Sequence, residues 1–193
     1  ASIQKKIGVA EGDLLCGWHM PYHEATRLEM IRKGETPTQN RHNCSGKHSG
    51  MLAQCKMRGV TIEDYINPQH PIQKAILQTF AEMCEIPVNE IALGVDGCSA
   101  PVFAVPLRNA AAAFARLSDP SKLLAKRAEA CRKITHAMME HPDMVAGPER
   151  FDTLVMQRTK GRLVSKAGAE GYQGIGLLPR ALGEGSPAMG IAI

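Results

Sequence analysis

The segment Arg41-His42-Asn43-Cys44-Ser45-Gly46-Lys47-His48-Ser49-Gly50-Met51-Leu52 constrains this chain more than any other. It gathers a thiol, an amine, two hydroxyls and two imidazoles around two glycines, and an apolar run follows. The pattern reads as a loop entering a helix near Ser45. Met51, Leu52 and Cys55 recur at the spacing of one helical face, and Gly59 is a natural stop. A helix starting there points unpaired N–H groups at whatever precedes it, which favours an anion or a developing oxyanion. Cys44 and Lys47 are three apart and Cys44 and His48 four apart, so either pair can share a face. The same letters also fit a plainer arrangement, with Ser45 as an N-cap and Lys47 as a solvated lysine.

Around that segment the pattern is mostly helical. Helices are expected from Pro21 to Lys33, with Gly34 as terminator, from about Ser45 to Arg58, and from Pro71 to Cys84. Further helices are expected from Leu107 to Leu117, from Ser121 to His141 with Ser118 or Ser121 as cap and a stop before Pro142, and from Glu149 to Gln157. Ile91 to Val95 suits a strand, Asp96-Gly97 a turn, and Ala100 to Val105 a return to extended structure. Arg162 to Ser165, Tyr172 to Leu178 and Met189 to Ile193 read as later strands. Helices in the middle and strands toward the end predict an α+β fold, helices packed on an antiparallel or mixed sheet. With 193 residues the chain is expected to form one domain, residues 1–193. It stops inside the apolar run Met189-Gly190-Ile191-Ala192-Ile193, so a fragment of a longer domain is expected, incomplete at both ends.

Composition narrows the function classes. The net charge is +4, and the basic residues are scattered in pairs such as Lys5-Lys6, Arg32-Lys33, Lys126-Arg127 and Arg132-Lys133. No aromatic residues interleave with them, so no nucleic-acid partner is expected. No run approaches the ~18 apolar residues of a membrane span, and no signal peptide opens the chain, so no membrane partner is expected. The cysteines Cys16, Cys44, Cys55, Cys84, Cys98 and Cys131 are dispersed within apolar periodic segments, which predicts reduced thiols in a cytoplasmic protein. Cys55, Cys84 and Cys131 read as small core residues, while Cys44 and Cys98 lie beside glycine and polar groups.

Three other places can carry chemistry. Val95-Asp96-Gly97-Cys98-Ser99-Ala100-Pro101 puts a carboxylate and a thiol on a tight turn after a strand, although Asp96-Gly97 can simply make the turn with Cys98 packed beneath it. Lys166-Ala167-Gly168-Ala169-Glu170-Gly171 follows a strand-like run and resembles the Lys-Thr-Gly element of serine acyl-transfer enzymes. Arg150-Phe151-Asp152-Thr153 fits either an Arg–Asp pair or a helix start capped by Asp152. Ser2-Ile3-Gln4-Lys5 formally satisfies Ser-x-x-Lys without a supporting pattern.

Taken together, the segments from His42 to Leu52, from Asp96 to Pro101 and from Lys166 to Gly171 resemble the L-asparaginase II family, the zinc-containing type related in fold to serine β-lactamases and glutaminases. Leu15-Cys16-Gly17, Pro21 and Arg150-Phe151-Asp152-Thr153 also fit in order. The resemblance implies an amidohydrolase that converts L-asparagine to L-aspartate and ammonia by a serine/lysine mechanism. It implies zinc as cofactor, with Cys44, Lys47 and Cys98 as ligands and a water or substrate completing the shell. His48 and Asp96 would line the substrate pocket, Lys166 would be catalytic beside the serine, and the protein would be a homodimer. In the family the reactive Ser-x-x-Lys and an Ala-Ser-His serine both precede the Leu-Cys-Gly element. Here Ala1-Ser2 is followed by Ile3, so either Ser2 is a family serine after a deletion or the nucleophile lies upstream. The alternatives are a catalytically incomplete zinc-binding member of the fold, or a related serine amidase acting on glutamine or a β-lactam.

Overall fold

The computed structural model describes residues 2–193, which fall into two compact units. The first runs up to Thr79 and includes Ile91–Ala104; the second holds Phe80–Glu90 and Val105–Ile193. The class is α+β, with eight α-helices and two small antiparallel sheets among the described residues.

In the first unit, α1 (Ser2–Ile7), α2 (Glu24–Lys33), α3 (Ser45–Arg58) and the first two turns of α4 (Pro71–Cys84) accompany a hairpin of β1 (Ala92–Val95) and β2 (Pro101–Ala104). The bounds of α3 and α4 are those their periodicity predicts. Gly34 and Gly59 end α2 and α3 in the left-handed conformation, at φ of 63° and 65°, which a residue with a Cβ adopts reluctantly. Helix α1 is not foreseen by pattern. It is a short segment held by outside contacts, with Gln4 Nε2 donating to Asn40 Oδ1 at 2.7 Å and Val9 N–H closing onto Gln4 O at 3.1 Å. The core of the unit joins Met51, Leu52 and Cys55 of α3 to Leu14, Cys16, Tyr65, Ile72, Cys98 and Ala100. Leu52 is wholly buried, a gain of about 1.5–3 kcal/mol for a side chain of that size.

In the second unit, α5 (Leu107–Ser118), α6 (Ala125–Glu140), α7 (Pro142–Ala146) and α8 (Phe151–Thr159) accompany a sheet of β3 (Leu163–Ala167), β4 (Gln173–Leu177) and β5 (Met189–Ala192) in the order β3-β4-β5. Helix α6 starts later than its pattern predicts. Asp119 accepts from Ser121 N–H and caps a separate 3-10 turn, Pro120–Lys122, so neither serine caps α6. Pro142 does stop α6, and it also opens α7, where a missing N–H costs nothing.

Sheet register explains how α5 packs. Val164 pairs with Gly176 and Lys166 with Gly174, while Gly190 pairs with Gly176 and Ala192 with Gly174. Alternation puts these residues on one face, and small side chains there let α5 lie close against the strands. A Cβ on Gly190 would overlap the Ala111 carbonyl, and one on Gly174 would overlap the Phe114 ring. The opposite face carries Leu163, Ile175 and Leu177 against Met156 of α8. Gly190→Ala therefore forces backbone apart and is expected to cost about 1–3 kcal/mol or more, whereas Gly12→Ala, with open space around it, is expected to shift the thermal midpoint little. Melting curves of the two variants compare them directly, and equal midpoints would contradict this account of the α5 packing.

Candidate functional site

The start of α3 is built by its flanking histidine. Cys44, at φ −93° and ψ 4°, is the N-cap residue, in place of the Ser45 cap that the sequence allows. No side chain caps the helix from that position. Instead His42 Nδ1 accepts from the Cys44 N–H at 2.9 Å, and the Ser45 N–H donates to His42 O at 3.0 Å. The Gly46 and Lys47 N–H groups lie in the first turn, where helix geometry supplies no intrahelical acceptor.

The Asp96–Ala100 turn is equally specified. The Asp96 N–H donates to Ala100 O at 2.9 Å and the Ser99 N–H to Asp96 O at 2.8 Å, while Asp96 Oδ1 accepts the Gly97 N–H at 2.8 Å. Cys98, only 1% exposed, drops from the turn into the core. Both readings of this turn hold at once: Asp96-Gly97 makes it, and its thiol also meets the helix start.

There the side chains of Cys44, Lys47, Asp96 and Cys98 converge. The Cys44 and Cys98 sulfurs and an Asp96 oxygen lie within 4.8 Å of one another. Lys47 Nζ donates to Asp96 Oδ2 at 2.7 Å, and the Cys98 thiol donates to the same oxygen at 3.4 Å. Burial pushes the Cys44 thiol up to about 11, with the Lys47 charge pulling the other way. Burial alone would lower Lys47, but its bond to Asp96, helped by the two sulfurs, outweighs that and raises it above the usual lysine range. The same bond holds Asp96 below the usual carboxylate range against its own burial.

His48, one residue on, faces inward and is wholly buried. Its Nδ1 lies 2.6 Å from the Tyr65 hydroxyl, which accepts the Leu15 N–H at 2.9 Å. The hydroxyl can donate to Nδ1, and the buried Nε2 lies on the side of the ring facing the Cys98 backbone. Burial, with the Lys47 charge adding to it, pushes His48 down to about 4.

Lys166 belongs to the second unit. It is an exposed residue of β3, paired across the ladder with Gly174, and its Nζ donates to the adjacent Ala167 carbonyl. Asp152 neither caps α8 nor serves an arginine. It is 1% exposed and accepts from Ser165 Oγ at 2.6 Å, from the Ala167 N–H at 2.8 Å and from Gln173 Nε2 at 2.8 Å. Thr153 is also turned inward, donating to Gly147 O at 2.6 Å.

Across residues 1–193 the chain matches the family model of L-asparaginase II. The chain belongs to the L-asparaginase II family. Compared with curated proteins it matches none. As an L-asparaginase II family member it is in general terms an asparaginase-type amidohydrolase with an amide substrate. No helix among the described residues is long and apolar enough to cross a membrane. Sequence reasoning missed the supporting residues of the first unit. His42 stood within the motif without a role, and His19, whose ring stands edge-on to His42 at 4.4 Å between centroids, carried no local signal. Tyr65 carries no local signal either. Tyr65→Phe strips the hydroxyl from the Leu15 N–H and from the buried His48 Nδ1, and is expected to cost about 1–3 kcal/mol. Denaturant unfolding followed by circular dichroism measures this, and an unchanged midpoint would count against the bridge.

Proposed function

We propose that this chain carries the metal site and a catalytic lysine of an enzyme that hydrolyses the side-chain amide of L-asparagine to L-aspartate and ammonia. The observation that supports the reading is the convergence of Cys44, Lys47 and Cys98, 54 positions apart from first to last, beside Asp96. The donor set suits zinc: two thiols that bind as thiolates, and a nitrogen that binds once its proton is lost. Cys44, Lys47 and Cys98 are the proposed ligands. To hold the metal, Lys47 would have to leave its pair with Asp96 and give up the proton that the pair favours. When bound, zinc would polarise or orient the substrate carbonyl.

The remaining groups take complementary roles. Freed from Lys47, the half-buried Asp96 carboxylate suits the α-ammonium group of an amino-acid substrate. His48, buried and with little tendency to protonate, is a neutral imidazole in a dry setting beside the Cys98 turn. In the chemical step a serine hydroxyl adds to the amide carbon and passes its proton to a lysine amine. That proton leaves with ammonia, and water then repeats the addition on the acyl-serine and releases aspartate. Lys166 supplies positive charge beside the serine, the role that the resemblance to the Lys-Thr-Gly element implies. Donors of the α3 first turn suit the tetrahedral oxyanion. Six free cysteines accord with a reducing cytoplasm, where the enzyme would work as a homodimer.

The test is ammonia release from L-asparagine by the intact protein, together with its metal content. We expect zinc near one equivalent, lost in Cys98→Ala and in Lys47→Ala, and hydrolysis reduced by at least about 100-fold in both. Stoichiometric zinc without ammonia release would instead favour the catalytically incomplete member. Faster turnover of glutamine than of asparagine would favour the related amidase.

A further inference from the structure

We infer that Asp152 is a positioning residue for Lys166, gripping the strand that carries it on both sides of the lysine; the inference rests on the reading of Lys166 as catalytic. The argument begins at the sheet edge. β3 stands first in the order β3-β4-β5, so one of its edges has no neighbouring strand. Gly168 sends its N–H across the hairpin to Tyr172 O at 2.8 Å. N–H groups in an antiparallel pair point alternately toward and away from the partner, so the Ala167 N–H, one residue earlier, points off the ladder. A backbone donor there needs another acceptor, and Asp152 Oδ2 provides it at 2.8 Å.

The other oxygen reaches the residue before the lysine. Asp152 Oδ1 accepts from Ser165 Oγ at 2.6 Å and from Gln173 Nε2 at 2.8 Å, and that amide nitrogen also lies 2.9 Å from Ser165 Oγ. One carboxylate therefore holds Ser165 and Ala167, which flank Lys166, together with Gln173, the cross-strand partner of Ala167. It makes no bond to Lys166 itself, whose side chain leaves from the opposite face by alternation.

The distribution of contacts separates positioning from plain packing. At its first residue β3 is held by apolar burial, Leu163 against Leu177 and Met156. Toward its last residues that packing gives out: Lys166 is exposed and Ala167 only partly buried. The polar cluster replaces it at the end that bears the amine. A lysine has four rotatable side-chain bonds, so the accuracy of its ammonium group depends first on where its Cα is held. Displacements of about 1 Å at a reacting group can cost about 100-fold in rate.

The experiment is a kinetic cycle on the intact protein. Asp152→Asn and Ser165→Ala are each made in the parent and in Lys166→Ala, with kcat and KM for L-asparagine measured at high enzyme concentration. Circular dichroism and melting temperature establish that each variant folds. We expect folded Asp152→Asn to lose about 10- to 100-fold in kcat with KM within about threefold, and to lose nothing further when Lys166 is already alanine. A residue that merely stabilises the fold would cost the same in both backgrounds, and that result overturns the inference. So does an unchanged kcat in folded Asp152→Asn while Lys166→Ala is impaired, which leaves the catalytic reading of Lys166 intact. Full activity in Lys166→Ala overturns that reading and this inference with it. Should Asp152→Asn fail to fold, Ser165→Ala, which removes one of the three bonds, is judged by the same two criteria.

Discussion

Cys98 packs in the same core as Met51, Leu52 and Cys55 of α3, and that shared core holds the Asp96–Ala100 turn against the helix start. The Lys47–Asp96 pair, 2.7 Å long, joins the two segments more visibly, but both side chains are substantially exposed. A pair of that kind contributes at most about 1 kcal/mol, less than burial of a single large apolar side chain. Apolar packing fixes the distance between the segments, and the ion pair orders the polar groups that result. Asp96 and Cys98 sit at alternate positions of one tight turn, so burying the thiol sets the carboxylate beside the α3 entrance.

A second arrangement governs the other unit. Gly174, Gly176 and Gly190 line one face of its sheet, so α5 rests on backbone, while the other face packs conventionally against α8. The two faces do different work. Close approach on one side leaves room for little but backbone and small side chains, so the strand ends and edges carry the polar functions. β3 is such an edge, and its exposed end holds Lys166 on one face and the Asp152–Ser165–Gln173 cluster on the other.

Much of the fold is legible from periodicity. α3 and α4 run over the residues their apolar spacing indicates, because each is long enough for a repeating face to outweigh local ambiguity. The β1–β2 hairpin and the three later strands are legible from short apolar runs between turn residues. Helices α1 and α7 are six and five residues long, too short for a repeating face, and they persist through contacts made elsewhere. At the candidate site, Cys44, Lys47, Asp96 and Cys98 could be named from two local motifs. Tyr65, which steadies His48 from 17 positions away, could not, since nothing in Tyr65's neighbours announces a partner.

The sequence by itself determined the spans of α3 and α4, the Asp96-Gly97 turn, the α+β class and the family, since these depend on side-chain periodicity and on residue identity at short spacing. Only the tertiary structure decided that Asp152 turns inward to the β3 edge instead of capping its own helix, and that His42 replaces Ser45 in organising the start of α3. Serine and aspartate cap helices so readily that local chemistry favours that use. A half-buried strand edge whose N–H points off the ladder is a stronger demand, and it exists only once the chain has folded.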